Sequence, residues 1–245
     1  MFSFLNSKPG LKDLIPDNYI DIHSHLLPGI DDGSKNLDET INLVSQMISM
    51  GFSQFTTTPH VIKNVWNNSK NDIQDLEKKT ILDLKKINID NSFCAAAEYM
   101  MDVDFVNLFN SEKLLTLKNN YVLVEMSYLN PPIQLFDIIF DLQIAGYIPV
   151  LAHPERYSFY HNTFDVYDKL KKAGCLFQLN LLSTVGYYGP EVAKIADVLL
   201  GKNLMDFVGS DIHHQNHINS FQNKIKIKNT NALSEAIEKN QFFRI

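Results

Sequence analysis

Short apolar runs alternate with amphipathic helical stretches along most of this chain, and that alternation narrows the possible folds more than any other feature. Seven β-branched or aromatic runs read as strands: Tyr19–Ser24, Ser53–Thr58, Ser92–Glu98, Tyr121–Glu125, Ile148–Ala152, Leu176–Asn180 and Asp206–Ser210. Helical periodicity predicts helices near Leu37–Met50, Asn71–Ile87, Asp102–Phe109, Gln134–Ala145, Val166–Ala173 and Val192–Gly201, with a last one over Ala232–Lys239. Gly51, Gly146, Gly174 and Gly201 fall at the predicted helix ends, where a left-handed residue stops a helix with little strain. Strands separated by helices pair in parallel through right-handed crossovers. The expectation is an α/β fold of seven units, wound as a barrel or as an open sheet. No repeat or composition break marks a second domain, so residues 1–18 read as an N-terminal arm and 19–245 as a single domain.

Composition sets the outer limits. With 245 residues, 45% hydrophobic and 20% charged, the chain can bury one large core. No apolar run approaches the roughly 20 residues that span a bilayer, and the N-terminus does not read as a signal peptide. A formal charge of -6 disfavours nonspecific nucleic-acid or anionic-membrane binding. Two cysteines, Cys94 and Cys175, imply no disulfide framework and are expected to be packed and inert. A cytoplasmic protein is the expectation. Leu43, Val44, Met47 and Ile48 on the first helix could face the sheet or another subunit, so an oligomer is possible.

The ends of the strands carry the chemistry. Asp21-Ile22-His23-Ser24-His25 projects two imidazoles from one face, since side chains two apart in a strand point the same way. Asp31-Asp32-Gly33 could return a carboxylate over the same rim. The other runs stop at His60, Glu98, Glu125, His153 and Asp211-Ile212-His213. Six of the seven predicted strands thus end on a possible metal ligand, and a barrel gathers most strand ends at one rim. Glu98 and Glu125 follow apolar residues with no basic neighbour, where an unpaired carboxylate would be costly to bury. The nine candidates are His23, His25, Asp32, His60, Glu98, Glu125, His153, Asp211 and His213, too many for one zinc-like ion. Two or three divalent ions with bridging carboxylates are expected. Mixed imidazole and carboxylate suits Mn, Fe or Zn. Three ions would outweigh the four carboxylates, attract a phosphate monoester and acidify a bridging water. Arg156, three residues past His153, could take two phosphoryl oxygens, and Lys63 is a weaker candidate.

The segments Asp21-Ile22-His23-Ser24-His25, Pro28–Ser34, Thr58-Pro59-His60, Ala97-Glu98-Tyr99, Val124–Ser127, Ala152–Tyr157 and Ser210–His213 together resemble the polymerase and histidinol phosphatase (PHP) superfamily. Within it the chain is similar to the metal-dependent bacterial tyrosine-protein phosphatases encoded with capsule and exopolysaccharide genes. The resemblance implies a distorted seven-unit (β/α) barrel of the PHP/TIM-like type. It implies a trinuclear site, usually manganese-dependent, held by the nine candidates, with Arg156 binding phosphate. Arg156, Asp211 and His153 form the expected catalytic set, and Arg156, Lys63, His214 and His217 the expected substrate contacts. Some members carry an arginine after the SDxH motif where this chain has His214-Gln215-Asn216-His217. Phosphomonoester hydrolysis by a metal-bridging hydroxide follows from the resemblance, on a phosphotyrosine protein such as the tail of a tyrosine autokinase. No Cys-x5-Arg loop exists for a cysteinyl-phosphate route. A small-molecule phosphatase of the histidinol-phosphate type, an amidohydrolase and a non-catalytic metal-binding domain are the competing readings. Tyr128–Pro132 and Val185–Pro190 are the expected rim segments.

Overall fold

The computed structural model describes residues 8–245. Nine strands are present: β1 (Tyr19–Asp21), β2 (Phe52–Thr57), β3 (His60–Val61), β4 (Ser92–Ala95), β5 (Glu98–Met100), β6 (Tyr121–Glu125), β7 (Ile148–Ala152), β8 (Leu176–Asn180) and β9 (Phe207–Gly209). Eight helices accompany them: α1 (Leu37–Ser49), α2 (Lys70–Lys86), α3 (Val103–Ser111), α4 (Leu135–Ile144), α5 (Asp165–Lys172), α6 (Pro190–Gly201), α7 (Gln215–Ser220) and α8 (Thr230–Lys239). Every strand pair is parallel.

The strands do not close into the seven-unit barrel expected from the sequence. They form two sheets, one ordered β1-β2-β4 and the other β3-β5-β6-β7-β8-β9. The strand predicted over Ser53–Thr58 stops at Thr57 and a short strand resumes at His60 beyond Thr58-Pro59, and the strand predicted over Ser92–Glu98 is broken at Ala96-Ala97; at both points the chain passes from the first sheet to the second. Proline brings no N–H to a ladder, which accounts for the first break. Between the outer strands β1 and β9 the ladder is replaced largely by side chains. The Asn240 amide donates to the Ile20 and Val208 carbonyls and accepts from the Val208 N–H. Asp21 accepts from both the N–H and the hydroxyl of Ser210. A single bridge at Ser24 and Ile212 joins the two sheets beyond the strand ends.

Helix boundaries follow local chemistry. Asn36, Ser69 and Asp102 cap α1, α2 and α3 by accepting a backbone N–H. Leu43, Val44 and Met47 of α1 are fully buried within this chain, so that face covers the sheet. Gly201 is an exception to the expected glycine stops. It belongs to α6, and Asn203 takes the left-handed conformation instead. A Cβ at Gly201 would lie 2.9 Å from the Asn229 side chain, so glycine is needed for the close approach of the α8 cap. Residues 8–15 pack against 221–227: Leu11 is fully buried, and its N–H donates to Asn223 O at 3.0 Å. The first seven residues of the expected arm lie outside the described residues.

A small apolar cluster, including Ile22, Ala96, Leu123, Val150, Ala152 and Phe243, fills the space between the sheets. Leu123 shares a face of β6 with Glu125, because side chains alternate along a strand. The apolar floor thus reaches both buried carboxylates, because Leu123 is also the register partner of Glu98.

Candidate metal centre

All nine candidate donors converge at one rim: His23, Glu125, His153 and Asp211 lie at or just past the C-terminal ends of β1, β6, β7 and β9, while His60 and Glu98 open β3 and β5 just beyond the ends of β2 and β4. They form four overlapping groups, in each of which the donor atoms lie within 4.8 Å of one another. The groups are His25, Asp32, His60 and His213; His23, Glu98 and His153; His23, His25 and Asp211; and His60, Glu98 and Glu125. Glu98 sits at the middle. One of its oxygens lies 3.1 Å from His153 Nε2, and the other lies 3.2 Å from His23 Nε2 and 3.3 Å from His60 Nδ1. Asp211 Oδ1 approaches His23 Nε2 at 3.2 Å. Asp32 is the outermost donor, half-exposed, 3.5 Å from His60 and 3.6 Å from His213.

The backbone is bent to make this convergence. His153 and Asp211 adopt φ of 38° and 50°, left-handed values that non-glycine residues rarely take. Each turns the chain sharply at its strand end, so the side chain points over the rim instead of continuing the ladder. Two glycines let main chain pack against the imidazoles. A Cβ at Gly33 would meet His25 O at 2.2 Å, and one at Gly209 would meet His23 Cβ at 2.6 Å.

The outward nitrogens of three imidazoles are tied to oxygen acceptors. His23 Nδ1 faces Gln178 Oε1 at 2.7 Å, and the Gln178 amide nitrogen is fixed by donating to Leu179 O. His25 Nδ1 faces Asp31 at 2.7 Å, and His213 Nδ1 faces Asp211 O at 2.9 Å. With Nδ1–H donating outward, each Nε2 lone pair points inward among carboxylate oxygens. His60 Nδ1 and Glu125 Oε1 are both buried without a hydrogen-bond partner, although they face each other at 2.9 Å. A cluster of inward lone pairs with oriented second nitrogens fits divalent cations. The charges agree. Burial pulls His23 down, yet Glu98 and Asp211 overcome it and lift the imidazole to about 10. Burial would raise Glu98 and Asp211, but the imidazoles hold both well below the usual carboxylate range. Burial and the Arg156 guanidinium push His153 down to about 4.

The remaining sequence candidates fall in different places. Arg156 lies over the centre, donating to Asp211 Oδ2 at 2.8 Å, its guanidinium 4.0 Å from the Tyr188 ring centroid and 4.8 Å from that of Tyr128. Both expected rim segments therefore supply an aromatic wall to Arg156. His217 is buried, with Nδ1 against the His213 N–H and the Asp211 carbonyl, so it braces the turn that carries two donors. His214 lies tilted against it, ring centroids 4.1 Å apart. Lys63 is 60% exposed and paired with Asp104 at 2.8 Å, on the side of a neighbouring groove. Cys94 and Cys175 stand away from the donors, their thiols raised by burial to about 11 and about 12.

Several site residues were not singled out from the sequence. Asp31 orients His25 and accepts the His60 N–H at 3.1 Å. The sixth predicted strand, β8, ends without a charged ligand and supplies Gln178 and Asn180 instead. Asn180 donates to Asp211 Oδ2 at 2.7 Å. A pair of amides two apart, at the one strand end lacking His, Asp or Glu, was the available signal.

A parallel α/β frame with a multi-ligand centre at its strand ends defines a metal-dependent class of protein. The chain belongs to the CpsB/CapC family of capsular polysaccharide synthesis, whose pattern matches residues 19–238. It is 30% identical to CapC of Staphylococcus aureus over 196 residues, 79% of this chain and 76% of that one. It is 28% identical to the tyrosine-protein phosphatase YwqE of Bacillus subtilis, covering 80% of this chain and 77% of that one. For the tyrosine-protein phosphatase CpsB of Streptococcus pneumoniae the figures are 27%, 80% and 83%. A crystal structure from work on YwqE and CpsB, described as metal-dependent tyrosine phosphatases, superposes with a TM-score of 0.77 at 26% identity, over 92% of this chain and 88% of that one. No helix among the described residues is long and apolar enough to cross a membrane.

Proposed function

We propose that this protein is a metal-dependent protein-tyrosine phosphatase acting on a phosphotyrosine protein of capsule or exopolysaccharide synthesis, such as an autophosphorylating tyrosine kinase. The observation that carries the reading is the four overlapping donor groups with Arg156 above them. Family membership supports it. Two or three divalent ions, manganese first and iron or zinc as alternatives, would be held by His23, His25, Asp32, His60, Glu98, Glu125, His153, Asp211 and His213. Such ions supply Lewis-acid polarisation of phosphoryl oxygens and a water acidified toward neutral pH.

The chain's own groups account for the rest. Arg156 offers a planar pair of N–H donors for two phosphoryl oxygens, held ready by Asp211 and flanked by the Tyr128 and Tyr188 rings. Those rings and the half-exposed rim suit an aryl ester more than a small polar one. Asn180 and Arg156 occupy one oxygen of Asp211 and leave the other facing His23. The apolar floor excludes water from beneath. A tyrosyl leaving group, with a phenolic pKa near ~10, needs little protonation on departure.

The test is metal analysis of purified protein, joined to turnover of phosphotyrosyl peptide and histidinol phosphate. Metal-loaded protein should hydrolyse the peptide faster and lose activity with EDTA. Arg156→Ala should lower kcat/KM by about 10²–10³ with metal content retained. Equal or better turnover of histidinol phosphate, or activity indifferent to chelation, would overturn the reading.

A further inference from the structure

Beside the centre lies a cavity of about 290 Å³ to which no part of the proposed reaction has been assigned. It opens between α3 and the loop leading into α2. Val61, Tyr99, Phe105 and Leu108 give it apolar surface, and Trp66 lies in its wall. It is joined to the centre by covalent and hydrogen-bond connections. Val61 directly follows His60, and Met100, also in the lining, pairs in register with Glu125. Val61 and Tyr99 follow His60 and Glu98 on the opposite face of the sheet, one strand residue or about 3.3 Å further along. Asn68, in the loop that carries Trp66, donates to the carbonyls of both His60 and Ile30. The Trp66 N–H and carbonyl are bonded in turn to Ile62, so the loop is closed as a tight hairpin and is not a loose flap.

We infer that this cavity is a specificity subsite that accepts an apolar side chain, aromatic or branched aliphatic, lying near the phosphotyrosine in the protein substrate. This inference rests on the phosphatase reading above and names what that reading leaves open, the sequence around the hydrolysed residue. The volume suits one large side chain, and the lining is mostly apolar where the floor meets α3. The charges narrow the ligand further. Asp102, Asp104 and Glu112 line the cavity, against Lys63 and Lys70. Lys63 is paired with Asp104, and Lys70 donates to the Lys113 carbonyl. Asp102 keeps one oxygen free of its capping bond to Phe105. The lining is therefore slightly acidic. An acidic flank would be repelled, while an apolar residue with a basic neighbour would be favoured. A small aryl phosphate offers no flanking side chain to the cavity.

Trp66 is the only tryptophan in the chain, so its fluorescence reports on this cavity alone. The experiment uses phosphotyrosyl peptides with Leu, Phe or Asp at each of the three positions on either side, and matching non-hydrolysable phosphonates. Leu or Phe at one position should raise kcat/KM about tenfold over Asp, the scale of one buried side chain. The matching phosphonate should shift Trp66 emission on titration into unmodified metal-loaded protein. Trp66→Ala, checked by thermal melting, should lower the ratio of Leu-peptide to para-nitrophenyl phosphate turnover at least fivefold. Equal turnover of every flank, or emission indifferent to the apolar phosphonate, overturns the subsite while leaving the phosphatase assignment standing. Metal-loaded protein that hydrolyses no phosphotyrosyl peptide overturns the assignment and the subsite with it.

Discussion

At the scale of single residues, the centre depends as much on what holds the donors as on the donors. Asp31 is hydrogen-bonded to His25, to the His60 N–H and to the Gly33 N–H at once. Asp31→Asn should weaken metal binding by about 10–100-fold, as loss of an orienting partner commonly does. Isothermal titration of stripped protein with Mn would measure this. Gly209→Ala should act more directly, because the new Cβ would stand 2.6 Å from that of His23 and 2.7 Å from the Gln178 amide nitrogen. Elemental analysis should find less metal in that variant, with the secondary structure retained. The thiols should show the opposite behaviour. Burial raises both Cys94 and Cys175 far above neutral, so iodoacetamide at pH 8 should label neither in the folded protein and should not inactivate it. Rapid labelling before unfolding would contradict that account.

At the scale of elements, the seam between β1 and β9 is the least regular part of the frame. Asn240 makes three main-chain contacts there from a fully buried position. Asn240→Leu should leave a buried N–H and two carbonyls unpaired and cost about 1–3 kcal/mol for each group left unsatisfied. A lowered Tm, with metal bound to the folded fraction, is the expected outcome. This seam also marks the limit of what the sequence revealed. Strand and helix periodicity located the core elements, since Tyr121–Glu125, Ile148–Ala152 and Leu176–Asn180 coincide with strands in the structure. The grouping of the candidate donors was legible because His, Asp and Glu recur at the ends of apolar runs, where most of them would be costly to bury unpaired; Asp32, half-exposed in a loop, was legible only from its place after His25. The passage from one sheet to the other at Thr58-Pro59 and Ala96-Ala97 was not legible, because pairing partners are a tertiary property. Neither was α7, whose six residues are too short to show a period. Supporting amides such as Gln178 and Asn180 escaped notice because an uncharged side chain at a strand end has many ordinary explanations.

At the scale of the whole molecule, the donors are separated widely along the chain and adjacent only in space. The first, His23, and the last, His213, come from opposite ends of the described fold. His25 and His213 nevertheless stack with ring centroids 3.9 Å apart. No short segment holds a full set: the group of His60, Glu98 and Glu125 already draws on three strands. The groups that include Asp211 or His213 therefore cannot close until the last strand has been made, and the whole centre exists only in the finished molecule. Any choice among competing cations would then be made by the folded protein and not by the emerging chain.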